Sequence, residues 1–292
     1  MTSDDLMSGK VSFDGIYDQP DPRAYYRTLA ELDYQIPEQA RAPFAHLSGV
    51  LGERRGGKPP QVLDVCCSYG INATLLNHDV SLAELNQRYR SPELEPLSSD
   101  ELIEADRAFL AERRRPQALR VAGLDAAANA VSYAQRVGVL HAGSSENLEV
   151  AEPSDELQRL LTEVELITVT GGIGYVTEVT FDRLLEAASS PARPWIAAFS
   201  LRWVDMTPIA AVLDKHGYTL ETLDGHTFRQ RRFADVEERD HALAQLERLG
   251  LDPDGVETDG YHHTTFYLGR PVEEATADSV AELLAPVVGQ RR

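Results

Sequence analysis

Cysteine is almost missing: the 292-residue chain has two, Cys66 and Cys67, and they are adjacent. Neighbours in sequence cannot staple distant parts of a fold, and with no C-x-x-C pair there is no metal or redox signature to read. Basic residues are scarce as well, 28 Lys+Arg against 47 Asp+Glu, for a formal charge of −19. Such an excess repels phosphate backbones and anionic membrane surfaces, which disfavours a nucleic-acid partner. No apolar run approaches the roughly 18 to 20 residues of a membrane-crossing helix. The opening MTSDDLMSGK lacks the basic-then-apolar order of a secretion signal. Repeats and low-complexity tracts are absent too. The expectation is a cytoplasmic protein with no membrane partner and no metal; a homodimer is left open.

What is present is enough apolar residue, 42% of the chain, for a sizeable core. Residues 1–58 read as a polar start followed by two helices, the first begun at Asp21-Pro22, before the loop GERRGGKPP. VLDV then suits a strand buried on both faces, with a helix from Ile71 to about Asn77. Residues 78–118 form a helical insertion of two charged helices around the Pro92–Pro96 loop. Strands follow at 120–125, 139–145, 164–172 and 194–203 with helical spacing between most of them. A charged helix at 236–249 separates YTLETLDGHTFRQRRF from GYHHTTFYLGR, which together read as an antiparallel pair. The rhythm predicts an α/β, Rossmann-like, doubly wound and mostly parallel sheet over 59–272, with 273–292 as a terminal helix or tail.

In such a sheet ligands bind beyond the strand C-termini, at the turn that feeds the first helix. That places the site at Asp64 to Asn72. The register Asp64-x-Cys66-x-Ser68-x-Gly70 keeps only its last glycine, and an acid inside the strand argues against a pyrophosphate-binding nicotinamide fold.

DVCCSYG resembles the first motif, D/E-x-G-x-G-x-G, of the class I S-adenosylmethionine-dependent methyltransferases. Three further stretches fall in that family's order: Asp125 with Ala126 after VAGL, the turn Gly143-Ser144-Ser145-Glu146-Asn147-Leu148, and Gly171-Gly172-Ile173-Gly174-Tyr175. The resemblance covers roughly residues 60 to 270 and implies a seven-stranded sheet with an antiparallel C-terminal strand. It implies S-adenosylmethionine as cofactor, held by Asp64, Cys66, Ser68, Gly70, Asn72, Asp125, Ala126, Ser144, Ser145, Gly171 and Gly172. Asp125 would accept from the ribose hydroxyls, and the N-terminal helices would close over the sulfonium as a lid, presenting Tyr17 and less directly Tyr25 and Tyr26.

Departures from the motif add expectations. Cys66 and Ser68 carry a Cβ where positive φ favours glycine. Ser144 stands in place of the usual acid near adenine. Asp125 follows Asp64 by 125 − 64 = 61 positions, against about 20 in a simple βαβ unit, so the insertion reads as a lid or substrate wall. Cys66 and Cys67 read as small buried residues, and of His262 and His263 at most one can line the site. Arg202 and Asp205 are placed at the substrate mouth, Asp224 and His226 as a general base, and the basic cluster 227–232 as a carboxylate clamp or a solvated strand edge.

The expected activity is methyl transfer to a small molecule. The alternative, from resemblance to azetidine-forming enzymes of this fold, is cyclisation of S-adenosylmethionine alone to azetidine-2-carboxylic acid with release of methylthioadenosine. Tyr175 or Asn147 would then orient the reacting amine.

Overall fold

The computed structural model describes residues 14–188 and 193–288. Helices α1 (Asp14–Tyr17), α2 (Arg23–Glu31) and α3 (Ile36–Arg54) lead into strand β1 (Gln61–Val65) and helix α4 (Ile71–Asn77). The insertion supplies α5 (Leu82–Arg88) and α6 (Ser99–Ala111), each opened by a capping box, from Ser81 with Glu84 and from Ser98 with Glu101. There follow β2 (Arg120–Leu124), α7 (Ala128–Val137), β3 (Ala142–Ser144), α8 (Asp155–Leu161), β4 (Val164–Thr170), α9 (Glu178–Ala187) and β5 (Trp195–Leu201). The chain finishes with α10 (Thr207–Lys215), β6 (Tyr218–Thr222), β7 (Phe228–Arg232), α11 (Val236–Arg248), β8 (Tyr261–Pro271) and α12 (Val280–Val288).

The sheet order is β3-β2-β1-β4-β5-β8-β6, with β7 also on β8. The first five strands are mutually parallel and β8 is antiparallel to β5, β6 and β7. This is the doubly wound Rossmann-like architecture, with one correction: the sheet has eight strands, not seven. Thr264 pairs with Leu201 on one side and Phe228 on the other, so β6 and β7 lie in line along one edge of β8. Residues 223–227 interrupt that edge, turning at Gly225 with φ 75°. Two apolar layers cover the sheet. One draws on α2, α3, α4, α7, the insertion and α12, the other on α8 to α11.

The insertion is not a lid or substrate wall. It packs behind α2, where Arg23 donates to the carbonyls of Leu94, Glu95 and Leu97, Arg27 donates to Tyr89 O, and Tyr26 stacks on Tyr89 at 4.4 Å. Buried Asp106 gathers Arg88 and the hydroxyls of Tyr89 and Tyr133, fixing the insertion to α7. Helix α3 is likewise a sheet-covering layer, its Phe44 edge-on to Phe199 of β5 at 5.6 Å. Helix α8, which the sequence reading lacked, is capped by Ser154 and too short for a clear period.

Candidate functional site

The C-terminal ends of β1, β2 and β4 open into a cavity of about 540 Å³, closed from above by the chain between Tyr17 and Pro37. The turn after β1 forms its floor. Cys66, Ser68 and Gly70 have φ of 57°, 48° and 73°, so all three alternate positions take the left-handed conformation although two are not glycine. That conformation costs a residue with a Cβ roughly 1–2 kcal/mol. The displaced glycines are found on the neighbouring segments. A Cβ at Gly172 would lie 2.7 Å from both Cβ and Sγ of Cys66, and one at Gly123 would lie 2.5 Å from Cys67 Sγ. Burial, and then the charges of Asp125 and Asp64, push both thiols well above their ordinary range, which leaves them protonated packing groups.

Asp125 is joined to this turn. Its Oδ2 accepts from Ser68 N–H at 2.8 Å and its Oδ1 from Ala127 N–H at 2.9 Å. Burial raises its pKa, opposed by those two hydrogen bonds. Each oxygen keeps further acceptor capacity for a donor in the cavity.

Asp64 lies beneath the floor rather than in the lining. Its Oδ1 accepts from Asn72 Nδ2 at 2.9 Å and Thr168 Oγ1 at 2.8 Å. Complete burial pushes its pKa up to about 7 despite these donors. Between about pH 4 and 7 the folded chain therefore holds a proton that the unfolded chain has lost, and stability falls as pH rises through that window. Asp64→Asn is expected to flatten this slope and to raise the melting temperature at pH 8; a melting curve series against pH checks it.

Of the residues expected to hold the cofactor, the cavity brings together Cys66, Ser68, Asn72, Asp125, Ala126, Gly171 and Gly172, and of the expected catalytic residues Tyr17, Asn147 and Tyr175. Asp64, Gly70, Ser144 and Ser145 stay outside the lining. Gly70 serves packing, because a Cβ there would meet Val139 Cγ2 at 2.7 Å. Ser144 supports a carboxylate rather than removing one: its hydroxyl donates to Glu146 at 2.8 Å, and Glu146, held also by Ser154 N–H at 2.7 Å, reaches the lining. The turn after β3 thus brings an acid to the cavity from position 146 rather than 144.

Asp18, Tyr34 and Glu149 also line the cavity and were not anticipated. Tyr34 comes from the turn before α3, and its hydroxyl lies 3.1 Å from where a Gly171 Cβ would stand. The segment carrying Asp18 is fastened at several points. Tyr69, inside the glycine turn, accepts from Gln19 N–H at 2.9 Å and reaches the carbonyls of Gln19 and Ile16, while Asp18 accepts from Asn129 N–H at 2.7 Å. Tyr69→Phe is expected to speed amide hydrogen exchange at residues 16–19 selectively, with α7 unaffected.

The other expected site residues are structural. Arg202 is ion-paired with Glu257 and Asp205 caps Thr207 N–H. Buried Arg231 pairs with Glu238 at 2.6 Å and Arg229 with Asp259 at 2.8 Å, so the basic cluster is no carboxylate clamp in the cavity, while Arg229 and Arg232 are exposed as a solvated strand edge would have them. Trp203 Nε1 donates to buried His262 at 3.3 Å, His263 sits 3.2 Å from Asp259, and neither they, Asp224 nor His226 line the cavity. Among the described residues no cluster suits a metal and no helix is long and apolar enough to cross a membrane.

No family model and no curated protein matches the sequence. Solved structures are similar to it. The plantazolicin methyltransferase BamL, in complex with a desmethylplantazolicin analogue and S-adenosylhomocysteine, is 11% identical, with 93% of this chain and 100% of that chain covered at a TM-score of 0.40. Magnesium protoporphyrin IX methyltransferase from Synechocystis PCC 6803 is 11% identical over 91% of each chain at 0.39. A TehB-like methyltransferase from Corynebacterium glutamicum is 14% identical over 75% of this chain and 85% of that one at 0.36. The chain's own strand order defines an α/β protein of Rossmann-like fold with a cavity at the strand ends.

Proposed function

We propose that the cavity binds S-adenosylmethionine and that the protein is a methyltransferase acting on a small molecule. The observation that carries this is the left-handed turn 66–70 joined to Asp125 through Ser68 N–H at one cavity. The donor set fits the cofactor. Ser68 Oγ and Asn72 Oδ1 are buried lining atoms with no protein partner, and Asp125 has acceptor capacity left for a pair of hydroxyls. When bound, S-adenosylmethionine supplies a carbon already activated by its sulfonium, so the protein's share is mainly positioning. Tyr17, Tyr25 and Tyr34 bring aromatic rings to the lining, and such rings attract a cation that meets their faces.

A second reading, cyclisation of S-adenosylmethionine to azetidine-2-carboxylic acid, is favoured by the insertion's distance from the cavity, which leaves the site without the second-substrate wall expected of it. Incubation of the purified chain with S-adenosylmethionine alone, followed by mass spectrometry, separates the two. Methylthioadenosine with a cyclic amino acid supports cyclisation; S-adenosylhomocysteine formed only after an acceptor is added supports methyl transfer. Absence of cofactor binding sinks both.

A further inference from the structure

The charged residues that line the cavity are of one sign, although Arg231 lies near enough to act on Tyr17 and Tyr34. Asp18, Asp125, Glu146 and Glu149 all line it, and among the described residues no Lys, Arg or His does. Among the described residues, none of the four forms an ion pair. Their partners are neutral donors: backbone N–H groups for Asp18 and Asp125, serines and the Ser154 N–H for Glu146. Glu149 accepts from Thr177 N–H at 2.8 Å, Thr177 Oγ1 at 2.7 Å and Thr180 Oγ1 at 2.6 Å. Hydrogen bonds of this kind fix a carboxylate without neutralising it.

S-adenosylmethionine, with one sulfonium, one ammonium and one carboxylate, contributes a single net positive charge, so the lining stays negative with the cofactor in place. An anionic second ligand would meet repulsion from these carboxylates, whereas a cation would meet attraction from them and from the aromatic rings of the lining.

Resting on the reading of the cavity as an S-adenosylmethionine site, we infer that its second ligand carries a cationic ammonium group, recognised by Glu149 at the mouth beside Tyr175. Glu149 is the carboxylate for this role because it lines the same cavity as Tyr175, a residue 39% exposed, and Thr177 and Thr180 fix it at the N-terminus of α9. The ammonium is a handle for recognition, distinct from the atom that is alkylated.

The test uses the full chain saturated with S-adenosylhomocysteine and three probes of one shape, 2-phenylethylamine, 2-phenylethanol and phenylacetate, titrated calorimetrically. The amine is expected to bind at least about tenfold more tightly than the acid, the size of one charge-assisted contact. Glu149→Gln should bring the amine-to-acid ratio near unity and Glu149→Asp should restore it, in variants whose melting temperatures show them folded. Equal or reversed preference, a ratio untouched by Glu149→Gln, or no binding of any probe overturns the inference. Failure of the underlying reading shows separately, as absence of S-adenosylhomocysteine binding.

Discussion

Asp125→Ala is expected to weaken S-adenosylmethionine binding about tenfold or more. The carboxylate holds Ser68 N–H and Ala127 N–H and has acceptor capacity facing the cavity, so its loss removes contacts to the ligand and frees the turn beneath it. A hydrogen bond to a charged group is worth roughly 1.5–3 kcal/mol, and about 1.4 kcal/mol is a factor of ten in affinity. Asp125→Asn should recover only part of the loss. One oxygen still accepts an N–H, but the amide nitrogen now faces a backbone N–H that has lost its acceptor. Titration calorimetry on both variants measures this. An unchanged dissociation constant would reduce Asp125 to a brace for the turn.

The second large effect concerns Gly172. Its φ lies outside the left-handed region, so alanine there is conformationally acceptable, and the obstacle is the 2.7 Å approach to Cys66. Gly172→Ala should destabilise the chain by about 1–3 kcal/mol, the usual cost of overpacking. Cys66→Gly in the same chain removes the colliding atoms and relaxes a left-handed residue, and should return most of that stability. Denaturant unfolding of the single and double variants gives the coupling energy. Strict additivity would show that the cysteine and the glycine do not share one space.

The central sheet was legible because parallel strands buried on both faces are short continuous apolar runs separated by helical spacing, as in VLDV and VELITVT. The turn and Asp125 were legible for a related reason, since each lies directly after such a run. What escaped depends on contacts remote in sequence. Nothing around Tyr34 announces that it faces Gly171, and nothing in the insertion announces that Asp106 turns it toward Tyr133. The split between β6 and β7 escaped because YTLETLDGHTFRQRRF has strand-forming residues on both sides of a single Asp-Gly turn. Glu146 escaped because nothing in the turn's own sequence announces that Ser154, eight residues on, holds its carboxylate at the cavity.

The interrupted edge of β8 also bears on when the cavity can exist at all. Backbone bonds join Gln35 N–H to Gln230 O and Arg232 N–H to Leu32 O, both at 2.7 Å, and Tyr261 Oη donates to Asp33 across 228 positions. The roof of the site is thus hung from the far end of the chain. On a ribosome, the turn carrying Tyr34 is synthesised early yet has no edge to hang from until β7 and β8 have emerged, whereas residues 16–19 find Tyr69 and Asn129 much sooner. Loop closure over such distances is slow. A nascent chain would therefore hold its turn and Asp125 under half a roof, and the part that carries Tyr34 closes only when the last strand has formed.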